Sequence, residues 1–160
     1  MKQFRTLLFV VANLVAATTG NAQDNKTAHM KTIIESQNYI FKAITVYPQG
    51  GRSRHLDYGY DLIVTKEKVI SHLPYIGKSS SSHYGSGDEG IKFESSKFDY
   101  KLETTSKEWE ITIKPKDAFG ITKLVLTVFD NGSAKLRVTS TNRQGISFDG
   151  NIVGGEQKGF

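Results

Sequence analysis

From Tyr58 onward the chain repeatedly alternates apolar and polar residues with period two, and this pattern restricts the folds open to it. Tyr58, Tyr60, Leu62 and Val64 fall on one face, as do Ile91 and Phe93, then Phe98, Tyr100 and Leu102. Trp109, Ile111 and Ile113 alternate with Glu108, Glu110, Thr112 and Lys114, and Leu136 and Val138 with Lys135, Arg137 and Thr139. Strands with one dry and one wet face belong to antiparallel sheets, so a doubly wound parallel sheet is excluded. Short polar joins separate the runs: Thr65 to Lys68, Thr105 to Lys107, Asp130-Asn131-Gly132 and Asn142 to Gly145. Asn131-Gly132 is expected to form a type I′ hairpin turn. The expected fold is mainly β (α+β): an antiparallel meander of about eight or nine strands, a curled sheet closing as a half-open barrel or a sandwich. One short N-terminal helix precedes it, capped by Asp24, placing Met30, Ile33 and Ile34 on one side and stopping at Asn38.

The first residues read as an address. Lys2 and Arg5 precede an apolar run from Leu7 to Ala17, and the segment ends Gly20-Asn21-Ala22, the pattern of a signal peptide cleaved after Ala22. Eleven helical residues reach about 16 Å, half of a roughly 30 Å hydrocarbon core, so the run is too short to be a membrane anchor. The expected organisation is a signal at residues 1–22, a helix and lead-in at 23–36, one β domain at 37–153 and a flexible tail at 154–160. The expected address is the periplasm or the extracellular space, as a soluble protein without a transmembrane segment after cleavage. The chain has no cysteine, which excludes disulfides, thiolate chemistry and an acylated cysteine, hence a lipoprotein. Loss of Lys2 and Arg5 lowers the formal charge from +5 to +3, and the basic cluster Arg52-Ser53-Arg54-His55 is short and followed by Asp57. No nucleic-acid partner is expected.

The stretch from Leu73 to Gly90 carries two nucleotide-binding strings. A P-loop requires glycine five residues before Gly77, where His72 stands. The run Gly85-Ser86-Gly87-Asp88-Glu89-Gly90 matches a dinucleotide fingerprint as a string, yet it leads into Ile91-Lys92-Phe93-Glu94, a strand pattern, and not into a helix. Asp88 and Glu89 would also repel a phosphate. No metal-ligand spacing, nucleophile elbow or cofactor motif is present, so no cofactor or metal is expected. Residues 75–89 still form the long irregular connection, with Tyr75 and Tyr84 bracketing Lys78, His83, Asp88 and Glu89. These six are the candidate binding loop, with tyrosine faces suited to stacking on a sugar or peptide.

Phe41-x-Ala43, Pro48, Gly50-Gly51, Leu73-Pro74-Tyr75-Ile76-Gly77, Gly90-Ile91-x-Phe93, Gly132-x-Ala134-x-Leu136-x-Val138, Asn142-Arg143 and Ile146-Ser147-Phe148-x-Gly150 lie along residues 37–153. Together they resemble the exported Bacteroidetes-type domain of unknown function family 4251. The resemblance implies an envelope address and brings no activity or catalytic residues. The reading is a non-catalytic envelope protein that binds a small ligand, a glycan, a lipid or an envelope protein. Two alternatives are a periplasmic hydrolase with a carboxylate- or His-based site, and an inhibitor or assembly factor acting through a strand edge.

Overall fold

The structure, a computed structural model, describes residues 18–76, 90–105 and 108–155. Helix α1 (Thr18–Ser36) is followed by strands β1 (Tyr39–Pro48), β2 (Arg54–His55), β3 (Asp61–Val64), β4 (Val69–Leu73), β5 (Ile91–Ser95), β6 (Phe98–Thr104), β7 (Glu108–Pro115), β8 (Ile121–Phe129), β9 (Ser133–Ser140) and β10 (Ile146–Gly154). They form one antiparallel sheet in the order β5-β4-β3-β1-β10-β9-β8-β7-β6, with β2 on β1 beside the path. The longest ladder joins the first strand to the last, from Tyr39 opposite Gly154 to Pro48 opposite Ile146.

Period two in the sequence becomes two faces in space. One inner row passes through Val46, Phe148, Leu136, Leu126, Ile111 and Leu102, and the next through Ala43, Gly150, Ala134, Val128, Trp109 and Thr104. Ile111, Leu126 and Phe148 from these rows are fully buried in a single apolar cluster with Phe41, Leu62 and Leu73. Gly150, between Ala43 and Ala134 in this row, leaves the space taken by the neighbouring Phe41 ring, whose Cε2 would lie 2.9 Å from a Cβ there. The barrel interior is thus a packed core, filled by side chains.

Two features show that the sheet curls nearly into a barrel. In a flat sheet β1 and β6 would lie five strands, or about 24 Å, apart at the usual strand spacing. Yet the hydroxyls of Tyr39 on β1 and Tyr100 on β6 are 3.3 Å from each other. The edge strands β5 and β6 run in the same direction and are separated only by Ser96-Lys97. Parallel neighbours need a crossover of a dozen residues or more, so β5 and β6 lie end to end as one bent strand, the first half on β4 and the second on β7. No ladder joins the two edges, which leaves an unsealed seam.

The bend is held by Asp117, just beyond β7. Its carboxylate accepts the hydroxyl of Ser95 and, at 3.2 Å, the amide N–H of Ser96, while Lys116 N–H donates to Lys97 O at 2.7 Å. The Ser95 hydrogen bond is the main cause of an Asp117 pKa below the ordinary carboxylate value. A lowered folded-state pKa contributes stability above the unfolded value of about 3.9, lost as pH falls through the folded value. The melting temperature of the native chain should therefore fall more steeply on acidification below about pH 4 than that of Asp117→Asn. Parallel acid profiles for the two proteins would remove Asp117 from this role.

Four local expectations are corrected. The helix begins at Thr18, so Asp24 lies within it and is not its cap. Its stop is Gln37, left-handed at φ 51° and donating its N–H to Ile34 O at 3.1 Å, whereas Asn38 already pairs with Gly155. Tyr58, expected in the core, is fully exposed because β3 starts only at Asp61 and residues 56–60 bow out opposite a bulge at Ile44. The β8–β9 turn is real, but only Gly132 has positive φ (85°), and its N–H donates to Phe129 O at 2.9 Å. Asn131 keeps negative φ, so a three-residue connection with a left-handed glycine replaces the type I′ turn.

Helix α1 closes one end. Met30 and Ile34 are buried, Met30 abuts Gly132, and Ile33 abuts Gly154. The opposite end collects the connections at 49–53, 74–90, 116–120 and 141–145.

Candidate functional site

At the end remote from the helix, the strand ends leading into and out of the 74–90 connection sit side by side, Leu73 opposite Ile91. Gly90 is required there by close approach, because a Cβ at this position would overlap the carbonyl oxygen of Leu73. Tyr75 leaves β4 half-buried and packs against the core. The guanidinium of Arg143, from the β9–β10 turn, lies over its ring with Cζ 4.9 Å from the centroid, a cation–π distance. Arg143 Nη1 also donates to Gly90 O at 3.3 Å, and the Tyr75 hydroxyl reaches Gln144 O at 3.4 Å. One arginine thus ties both stems of the connection to a turn that lies some fifty residues further along the chain.

Of the six sequence candidates, the structure places Tyr75 in this clamp. Lys78, His83, Tyr84, Asp88 and Glu89 lie outside the described residues. Gly90 opens directly onto β5, so the helix that a dinucleotide fingerprint requires does not follow it. In sequence Arg143 stood only in a turn and in the family resemblance, with no role attached. Nothing local connects it to Tyr75, and the pairing appears only when the sheet curls.

A second irregularity lies along the seam. Phe98, Tyr100 and Leu102 point inward from β6, yet all three are half-exposed, whereas Ile111 and Ile113 facing them on β7 are buried. Burial raises the pKa of the Tyr39 and Tyr100 phenols, so the pair that bridges this side is a neutral one. Further along β7, opposite Thr104, Trp109 is 5% exposed, and its indole Nε1 has no hydrogen-bond partner. The outer side of β6 is guarded by charge: Asp99 pairs with Lys116, and Lys101 with Glu103, each at 2.6 Å. Such charges oppose the addition of a further strand, which weakens the strand-edge alternative.

Among the described residues no three His, Asp or Glu side chains come together as a metal-ligand group, and no helix is long and apolar enough to cross a membrane. No functionally curated protein matches the chain. A DUF4251 family protein from Bacteroides eggerthii DSM 20697, known from its crystal structure, is similar with a TM-score of 0.63. The match covers 81% of this chain and 87% of that one at 13% identity, and so bears on the fold alone. The family model described as domain of unknown function (DUF4251) matches residues 21–152, which takes in most of the helix as well as the sheet. The chain therefore belongs to the DUF4251 family.

Proposed function

We propose that the protein is an exported, non-catalytic binding module of the cell envelope, with its binding surface at the rim of the barrel end opposite the helix. The observation that carries this reading is the Arg143 clamp, which gathers Tyr75, Gly90 and the β9–β10 turn at the base of the longest connection. A packed interior supports a rim site over an internal cavity. Connections carried on a rigid sheet are where binding residues concentrate. Residues 1–22 act as a leader in this reading, and removal after Ala22 leaves Met30, Ile33 and Ile34 of the helix in place.

Native mass spectrometry of the protein purified from its own envelope tests the proposal. A bound species of defined mass is expected, on a chain beginning at Gln23. Arg143→Ala should lower its occupancy at least tenfold while destabilising the fold by only about 1–2 kcal/mol, the scale of one cation–π contact and one hydrogen bond. A clean ligand-free protein, with no partner captured by cross-linking in intact cells, would remove the binding reading.

A further inference from the structure

We infer that the open side of the barrel along β6 is a groove for a neutral single-chain acyl lipid, whose ester carbonyl accepts the indole N–H of Trp109. The inference rests on the binding-module reading and adds a ligand class and a second location to it.

The groove wall is apolar and linear. Phe98, Tyr100 and Leu102 project from one side of a strand that pairs with a neighbour on only one edge, and from first to last they span about 13 Å. A row of this kind offers one extended aliphatic chain a continuous contact, and it lies half-open to water in the free protein. The polar requirement is equally specific. Buried indole N–H groups normally find an acceptor, yet Trp109 Nε1 is the one buried side-chain nitrogen or oxygen without a partner among the described residues. Trp109 stands a single strand in from the open edge, opposite the exposed Thr104. The Tyr39 and Tyr100 hydroxyls satisfy each other, leaving the indole as the donor still to be matched.

The ligand should be uncharged where it meets Trp109. The inner positions of β6 to β10 carry no Lys, Arg, His, Asp or Glu, so a carboxylate placed there would lose its hydration without gaining a cation. The charged outer side of β6 disfavours an added peptide strand, and an acyl chain needs no backbone pairing.

The chain has one tryptophan, so its indole N–H gives one cross-peak in a nitrogen-15 correlation spectrum. Titration of the full chain with 1-monolaurin, below its critical micelle concentration, should move that peak downfield in a saturable manner. By calorimetry, Leu102→Glu should weaken binding at least tenfold while the variant still folds with a modestly lower melting temperature, and Trp109→Phe about fivefold. Lauric acid in its ionised form should bind at least tenfold more weakly than the ester. No saturable shift up to the solubility limit, or equal affinity for wild type and Leu102→Glu, would overturn the groove. Equal affinity for Trp109→Phe would overturn the carbonyl contact. A co-purifying ligand lost in Arg143→Ala but unaffected by Leu102→Glu would overturn the groove while retaining the rim reading. Absence of both the ligand and the shift would end the two together.

Discussion

Gly150→Ala should strongly destabilise the fold. Gly150 sits in the middle of β10, opposite Ala43 on β1 and Ala134 on β9. A Cβ there would overlap the carbonyl oxygen of Lys42 and lie 2.9 Å from Cε2 of Phe41. A crowded side chain escapes by changing rotamer, but a backbone oxygen within a ladder moves only if the strands part. The site adjoins the β1 bulge between Ala43 and Thr45, so parting would spread along the ladder that joins the chain's first and last strands. A cost of about 3 kcal/mol or more is expected, against a total stability of roughly 5–15 kcal/mol for domains of this kind. Gly59→Ala is the control: its φ of 99° is strained for alanine, but nothing lies within 4 Å, so about 1–2 kcal/mol should be lost. Urea unfolding of both variants reads the difference, and equal midpoints would show that β1 and β10 have room that their geometry denies.

Phe148→Ala should cost about 3–5 kcal/mol, the range for removing a fully buried aromatic side chain. Leu102→Ala, at the far end of the same inner row, should cost only about 1 kcal/mol, because a half-exposed side chain leaves little cavity behind. The two substitutions thus measure where the core ends. Comparable losses in denaturant midpoint would mean that β6 is sealed in solution and that its inner face offers no groove.

Much of the fold was legible before any coordinates, for an identifiable reason. Strand faces are set by alternation, and the runs ending in Val64, Ile113 and Val138 carry it without interruption. Tyr58 misled because period two continues past the end of a strand wherever a connection happens to repeat it. The helix start misled because Asp24 has the chemistry of a cap, and chemistry alone does not say where hydrogen bonding begins. Asn131-Gly132 pointed to the right turn but the wrong type, since only Gly132 needs positive φ. The candidate site was far less legible. Tyr75 was singled out as an aromatic beside a polar run, but its partner Arg143 and the half-open row on β6 depend on curling. Local pattern carries no information about which strand ends meet around a closed circuit.

The pairing of β1 with β10 has a consequence for how the protein is made. Strands β6 to β10 form a meander of short hairpins, each able to assemble from neighbours in the chain as it emerges. β1 is made early, but the long edge it needs belongs to β10, synthesised about a hundred residues later. Contacts between such distant segments form slowly, because a large loop must close before they are rewarded. Until Gly154 has cleared the machinery that delivers it, the N-terminal strand waits with Tyr39, Phe41 and Val46 uncovered. Completion of the barrel must therefore wait for β10, and until then β1 is the segment most in need of protection.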